Sequence, residues 1–200
     1  MENKKSEEIS KKFWYLIGLI ALILVIVVTV GFIIYANRKP EVIDKKVKGG
    51  SIVLNYTDNI TGLSLKNIKP TTDAIGMKNE KDGEYFDFSI DIELNKAKEI
   101  DYELAVVKDD SLSTISDDDI KIYLEKEDSG TYNKVFGPES YEKIKKDTKL
   151  GSPEGSMVLL KEKRKKDVKE NYRLRMWLSD KSVTKQGNYG VEVIVNGIAK

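Results

Sequence analysis

The chain has 200 residues, of which 34 are Lys or Arg and 33 are Asp or Glu, giving a formal net charge of +1. Charge this balanced does not point to nucleic acid as a partner. Cys and His are both absent, which excludes disulfides, thiol chemistry, histidine acid–base catalysis and the usual zinc or iron ligands, so no cofactor is expected.

Residues 1–12 form a short, charged N-terminal tail. From Phe13 to Ala36 no residue is charged, and Leu, Ile and Val dominate. As a helix this run spans roughly 36 Å at about 1.5 Å per residue, enough to cross a hydrocarbon core of roughly 30 Å with some tilt. Phe13, Trp14 and Tyr15 at one end and Tyr35 at the other are rings that favour the membrane interface, with Lys11, Lys12, Arg38 and Lys39 as charged stops. A cleaved signal peptide is the alternative. Its apolar region is typically about 7–15 residues long, and the best small-x-small site, Thr29-Val30-Gly31, lies inside this run rather than after it. The lipid bilayer is therefore the expected partner of Phe13 to Ala36. Flanking charge is nearly even, Lys4, Lys5, Lys11 and Lys12 against Arg38, Lys39, Lys45, Lys46 and Lys48. A short tail with Lys11-Lys12 against the apolar run has the layout of a signal-anchor. This places the tail in the cytoplasm and the C-terminal domain outside, on the plasma membrane.

Residues 37–50, with Pro40, a cluster of basic side chains and Gly49-Gly50, read as a solvated basic stalk, and the extracellular domain as residues 51–200. Acidic residues slightly outnumber basic ones in that domain. Its dominant period is two, the mark of half-buried strands. Candidate strands are Ser51 to Thr57, Leu63 to Ile68, Phe86 to Leu94, Ile100 to Val106, Ile120 to Leu124, Met157 to Leu160, Tyr172 to Leu178 and Tyr189 to Val195. Turn signals such as Lys81-Asp82-Gly83, Asp128-Ser129-Gly130 and Gly151-Ser152-Pro153 separate them. The one helix expected is Pro138 to Lys146, and the last two strands read as a hairpin. The fold class is thus mainly β: a transmembrane helix followed by an antiparallel β-sandwich, immunoglobulin-like or jelly-roll-like, with one short helix.

Two sets of side chains invite a functional reading. Lys161, Lys163, Arg164, Lys165 and Lys166 follow directly on a strand and should protrude as a loop. Such a loop could hold an anionic envelope polymer or lipid headgroups, although charged loops are more often simply solvated. Arg173, Arg175 and Trp177 share the polar face of their strand and suit a protein contact strip, because Trp and Arg are enriched at binding hot spots. The commoner reading is an Arg lying over an exposed Trp for solubility. Asp117-Asp118-Asp119, with Asp109-Asp110, suggests calcium, but EF-hand spacing is missing and an acidic surface turn is the better reading. Ser-x-x-Lys occurs at Ser140 to Lys143 and Ser182 to Lys185 without its Ser-Asp-Asn and Lys-Thr-Gly companions, so chance matches are expected and no metal or catalytic residue is assigned.

The closing region, Asn171-Tyr172-Arg173-Leu174-Arg175-Met176-Trp177-Leu178-Ser179-Asp180 followed by Gly190-Val191-Glu192-Val193-Ile194-Val195, resembles the C-terminal strands of anchored surface β-sandwiches of Gram-positive bacteria, loosely the camelysin/TasA-like matrix proteins. That resemblance implies a structural or matrix role in the envelope. The function expected is a non-enzymatic, single-pass cell-surface protein with a structural, adhesive or interaction role. An accessory subunit of a membrane secretion or conjugation complex is the alternative. A membrane-bound hydrolase ranks below both.

Overall fold

The computed structural model describes Thr29 and residues 42–47, 50–56, 61–78, 85–146 and 149–200. The chain divides into two compact units, Met1–Lys39 and Pro40–Lys200. Apart from Thr29, which is helical, the run from Phe13 to Ala36 lies outside the described residues. Among the described residues no helix is long and apolar enough to cross a membrane.

The second unit is mainly β with almost no helix. Its strands are β1 (Val42–Val47), β2 (Gly50–Tyr56), β3 (Gly62–Ile68), β4 (Tyr85–Glu93), β5 (Ile100–Lys108), β6 (Ile120–Asp128), β7 (Thr131–Ser140), β8 (Met157–Arg164), β9 (Val168–Leu178) and β10 (Gly187–Ala199). A four-residue helix, α1 (Asp73–Gly76), precedes β4. One sheet is six-stranded in the order β1-β2-β4-β9-β6-β7, and the other four-stranded in the order β3-β10-β5-β8. Every pairing between these strands is antiparallel.

Alternation decides which face each strand buries. In β4, Phe86, Phe88, Ile90 and Ile92 are buried, while Asp87, Ser89 and Asp91 point the other way. In β10 the buried set is Tyr189, Val191, Val193 and Val195. Because a strand's side chains alternate with period two, one register aims a whole apolar set at the opposite sheet. Residues of both sheets meet in one core, with Leu54, Leu104, Tyr172 and Leu174 fully enclosed. Each such burial contributes about 1.5–3 kcal/mol relative to exposure. An aromatic stack, Tyr56–Phe86–Phe88–Tyr172, with ring centroids 5.5–5.8 Å apart, runs through it. The Tyr56 hydroxyl crosses to the other sheet and donates to the Val193 carbonyl at 3.1 Å.

Four expectations from sequence are corrected. The stretch read as stalk contains β1, which pairs with β2 from Val42↔Asn55 to Val47↔Gly50. The expected helix from Pro138 to Lys146 is instead the end of β7, followed by a single 3-10 turn at Tyr141–Lys143. The expected hairpin is absent, since β9 lies in the six-stranded sheet and β10 in the four-stranded one. The expected basic loop is largely strand: β8 continues through Lys161, Lys163 and Arg164, leaving Lys165 and Lys166 at the turn into β9.

Candidate functional site

The proposed contact strip lies on the outer face of the six-stranded sheet, where β4, β9 and β6 run side by side. Register places Arg173 opposite Asp87 and Arg175 opposite Tyr85. Arg173 makes a two-pronged bond to Asp87, Nε to Oδ1 and Nη2 to Oδ2, both at 2.7 Å. Its guanidinium also lies between two rings, 4.3 Å from the Tyr85 centroid and 4.4 Å from that of Tyr132. Arg175 is buried and its Nε donates to Glu125 Oε2 at 2.7 Å. Trp177 is only 5% exposed. α1 covers it: a Cβ on Gly76 would overlap the indole, and the indole Nε1–H donates to Asp73 Oδ1 at 3.2 Å.

The three residues are thus neighbours on one face, but their donors and ring faces are engaged within the chain. The arginine lies over tyrosines rather than over the tryptophan. For Arg173 and Asp87, a double-mutant cycle with R173A and D87A is expected to give a coupling of about 1 kcal/mol in unfolding free energy, because a two-pronged charged bond is stronger than an exposed ion pair.

The basic segment is also paired. On the outer face of the four-stranded sheet, β8 presents Lys161 and Lys163 alongside the carboxylates of β5. Lys163 reaches Glu99 at 2.8 Å and Asp101 at 3.6 Å, Lys161 stands 4.0 Å from Glu103, and Lys165 3.9 Å from Glu99. Lys200 also pairs with Asp101. The bond from Lys163 is the main cause holding Glu99 below the usual carboxylate range, and the bond from Lys200 does the same for Asp101. Cations and anions alternate here along facing strands, so the face is a ladder of opposite charges rather than a basic patch.

Arg164 points the other way, into the space between the sheets, where it joins a polar cluster that sequence reasoning missed. Glu170, 7% exposed, is its centre. Its Oε1 accepts from Lys126 Nζ at 2.6 Å and Arg164 Nε at 2.8 Å; its Oε2 accepts from the Tyr102 hydroxyl at 2.6 Å and the Tyr172 hydroxyl at 3.0 Å. The two phenol oxygens are 2.8 Å apart. Glu162 flanks the group, paired to Lys126 and to Arg164. Burial raises the Glu170 carboxyl, but the bonds from Lys126, Tyr102 and Arg164 outweigh it and leave the group below its ordinary value. Burial first, then the neighbouring anionic oxygens, pushes both phenols well above the normal tyrosine range. Two cations face two carboxylates, so the cluster closes on itself. The available signal was register: Glu170 occupies the inward series of β9 with Tyr172 and Leu174, but its partners come from three other strands.

The remaining motifs are engaged as well. Asp117 accepts from the Tyr189 hydroxyl at 2.8 Å and pairs with Lys108 at 2.8 Å. Asp119 Oδ2 accepts from the Thr184 hydroxyl. Among the described residues no group of three or more carboxylates is placed to hold a metal ion. The Ser140 hydroxyl donates to the Asp118 carbonyl, and Ser182 Oγ accepts from the Thr184 N–H at 2.9 Å.

Comparison with protein families, with curated proteins and with solved structures finds no match to this chain.

Proposed function

We propose that the chain is a single-pass, membrane-anchored cell-surface protein whose β domain has a non-enzymatic structural, adhesive or interaction role in the envelope. The observation that carries this reading is the uncharged run from Phe13 to Ala36, bracketed by interfacial rings and by Lys and Arg, ahead of a domain with two antiparallel sheets. The fold that goes with it is a β-sandwich of the immunoglobulin-like or jelly-roll-like kind. Strand orders in which only β1–β2 and β6–β7 are chain neighbours support that, because such sandwiches are built from long connections between sheets. The pairing of Lys161, Lys163 and Arg164 with carboxylates supports a structural use for those cations over recruitment of an anionic envelope polymer. Contact with another protein is the partner this reading favours.

The test is protease treatment of intact cells, followed by blotting for the domain. The expected result is that the domain is removed and a small protected anchor remains. Protection until the cells are lysed would place the domain in the cytoplasm and overturn the display reading.

A further inference from the structure

We infer that the free edge of β3 pairs with the same edge of a second copy of this chain, antiparallel, in the register that sets Ser64 opposite Ser64. The pairing goes beyond display at a surface and does not depend on the anchor.

Each sheet ends in two edge strands, and three of the four carry a guard against further pairing. β1 has Lys45 and Lys46, and β7 has Pro138. β8 carries a run of charge, and its start is closed by the bond from the Val158 N–H to the Lys145 carbonyl. β3 has no such guard before Lys66. Its main chain also points outward at the right places. The Val193 N–H donates to the Thr61 carbonyl at 2.9 Å, and Leu63 and Leu65 lie opposite Val191 and Tyr189. With a period of two, Thr61, Leu63 and Leu65 therefore turn their N–H and C=O groups to β10, and Gly62, Ser64 and Lys66 turn theirs to the open side. Ser64 and Lys66 are exposed, whereas Leu63 and Leu65 are buried in the core.

Charge selects a second copy as the occupant of this edge. Pairing about Ser64 sets Gly62 of one copy opposite Lys66 of the other. Within the chain Gly62 lies opposite Glu192, on the same outward face. Gly62 is needed by its own sheet, because a Cβ there would overlap the Val191 carbonyl. The missing side chain also leaves the way from the open edge to Glu192 clear. Lys66 and Glu192 are both exposed, and neither has a hydrogen bond or ion pair among the described residues. Two strand steps of roughly 4.8 Å separate their Cα atoms by about 10 Å, within the combined reach of a lysine and a glutamate. A groove of about 540 Å³ lies beside the edge, lined by Gly62, Ser64, Asp109, Asp110, Leu112 and Glu192 among others. Its one cation, Lys108, is already paired with Asp117 and Asp110, so the groove suits an incoming lysine. The two-fold axis makes the contact twice. Pairing about Lys66 would instead set like charges directly opposite each other, which is unfavourable.

Because the chain has no Cys, one substitution supplies its only thiol. In a hydrogen-bonded antiparallel pair, opposite Cα atoms lie about 5.5 Å apart, within the span of a disulfide. The full chain is held in detergent micelles under mild oxidation. The chain carrying S64C is expected to form a disulfide-linked dimer several-fold faster than one carrying K96C, whose thiol lies in the exposed connection between β4 and β5. Adding K66E or E192K to S64C should slow the reaction several-fold, and adding both should restore it. Equal rates for S64C and K96C, the result of collisions within a micelle, overturn the inference. Crosslinking at position 64 that neither charge reversal slows, or that the double reversal fails to restore, also overturns it.

Discussion

Replacing Glu170 with Gln is expected to destabilise the β domain by about 3–5 kcal/mol, the usual cost of removing one member of a buried ion pair. Glu170 alone receives bonds from Lys126, Arg164, Tyr102 and Tyr172. The amide keeps the volume and one acceptor oxygen but leaves two cations sharing only Glu162, and it sets a donor against groups that already donate. Urea unfolding of the purified protein measures the loss, and an unchanged midpoint would mean that solvent reaches the cluster freely. A pH series gives an independent check. The folded-state value of Glu170 lies below its unfolded value of about 4.5, so its contribution is complete above that pH and is lost as pH falls through the folded value. Wild type and E170Q should therefore converge under acid conditions and differ most near neutrality. The shifts on Asp101 and Glu99 are common to both proteins and cancel in the difference.

The strands most legible in the sequence are those with one apolar and one polar face: β4, β5, β9 and β10 each lie within a few positions of where their alternation puts them. The two missed strands, β1 and β7, are both edges of the six-stranded sheet. Edge strands carry lysines that discourage further pairing, so Asp44-Lys45-Lys46 imitates a solvated stalk. Pro138 is tolerated at an edge because its missing N–H faces no neighbour, yet by sequence a proline ahead of Glu and Lys reads as a helix start. Alternation tells which face a residue takes but not which sheet its strand joins, and this is why β9 and β10 looked like a hairpin. The charged residues of β8 were misread for a related reason. Lys161 and Lys163 face outward and Glu162 and Arg164 inward, so one unbroken run of charge serves two faces, and the partners that settle its role lie far away in sequence on β5 and β6 and across the turn on β9.

Trp177→Ala is expected to lower stability by about 3–5 kcal/mol, the range for deleting a large buried aromatic. Although Trp177 points away from the core between the sheets, α1 seals it: Gly76 leaves no room for a Cβ above the indole, Tyr123 meets it edge-on with centroids 6.4 Å apart, and Asp73 accepts its N–H. Removing the indole opens a cavity under a four-residue helix that has little other contact with the sheet, so α1 should loosen together with the Thr71–Ser179 bridge. Asp73→Ala removes only the hydrogen bond and should cost about 1 kcal/mol. The ordering of these two variants in thermal or urea unfolding separates the two roles considered for the strip. A tryptophan kept for an external partner would leave the unfolding midpoint nearly unchanged when truncated. A tryptophan that fixes α1 makes W177A one of the most disruptive single changes on the outer face of the sheet, and makes protease cleavage near residue 75 the first sign of that damage.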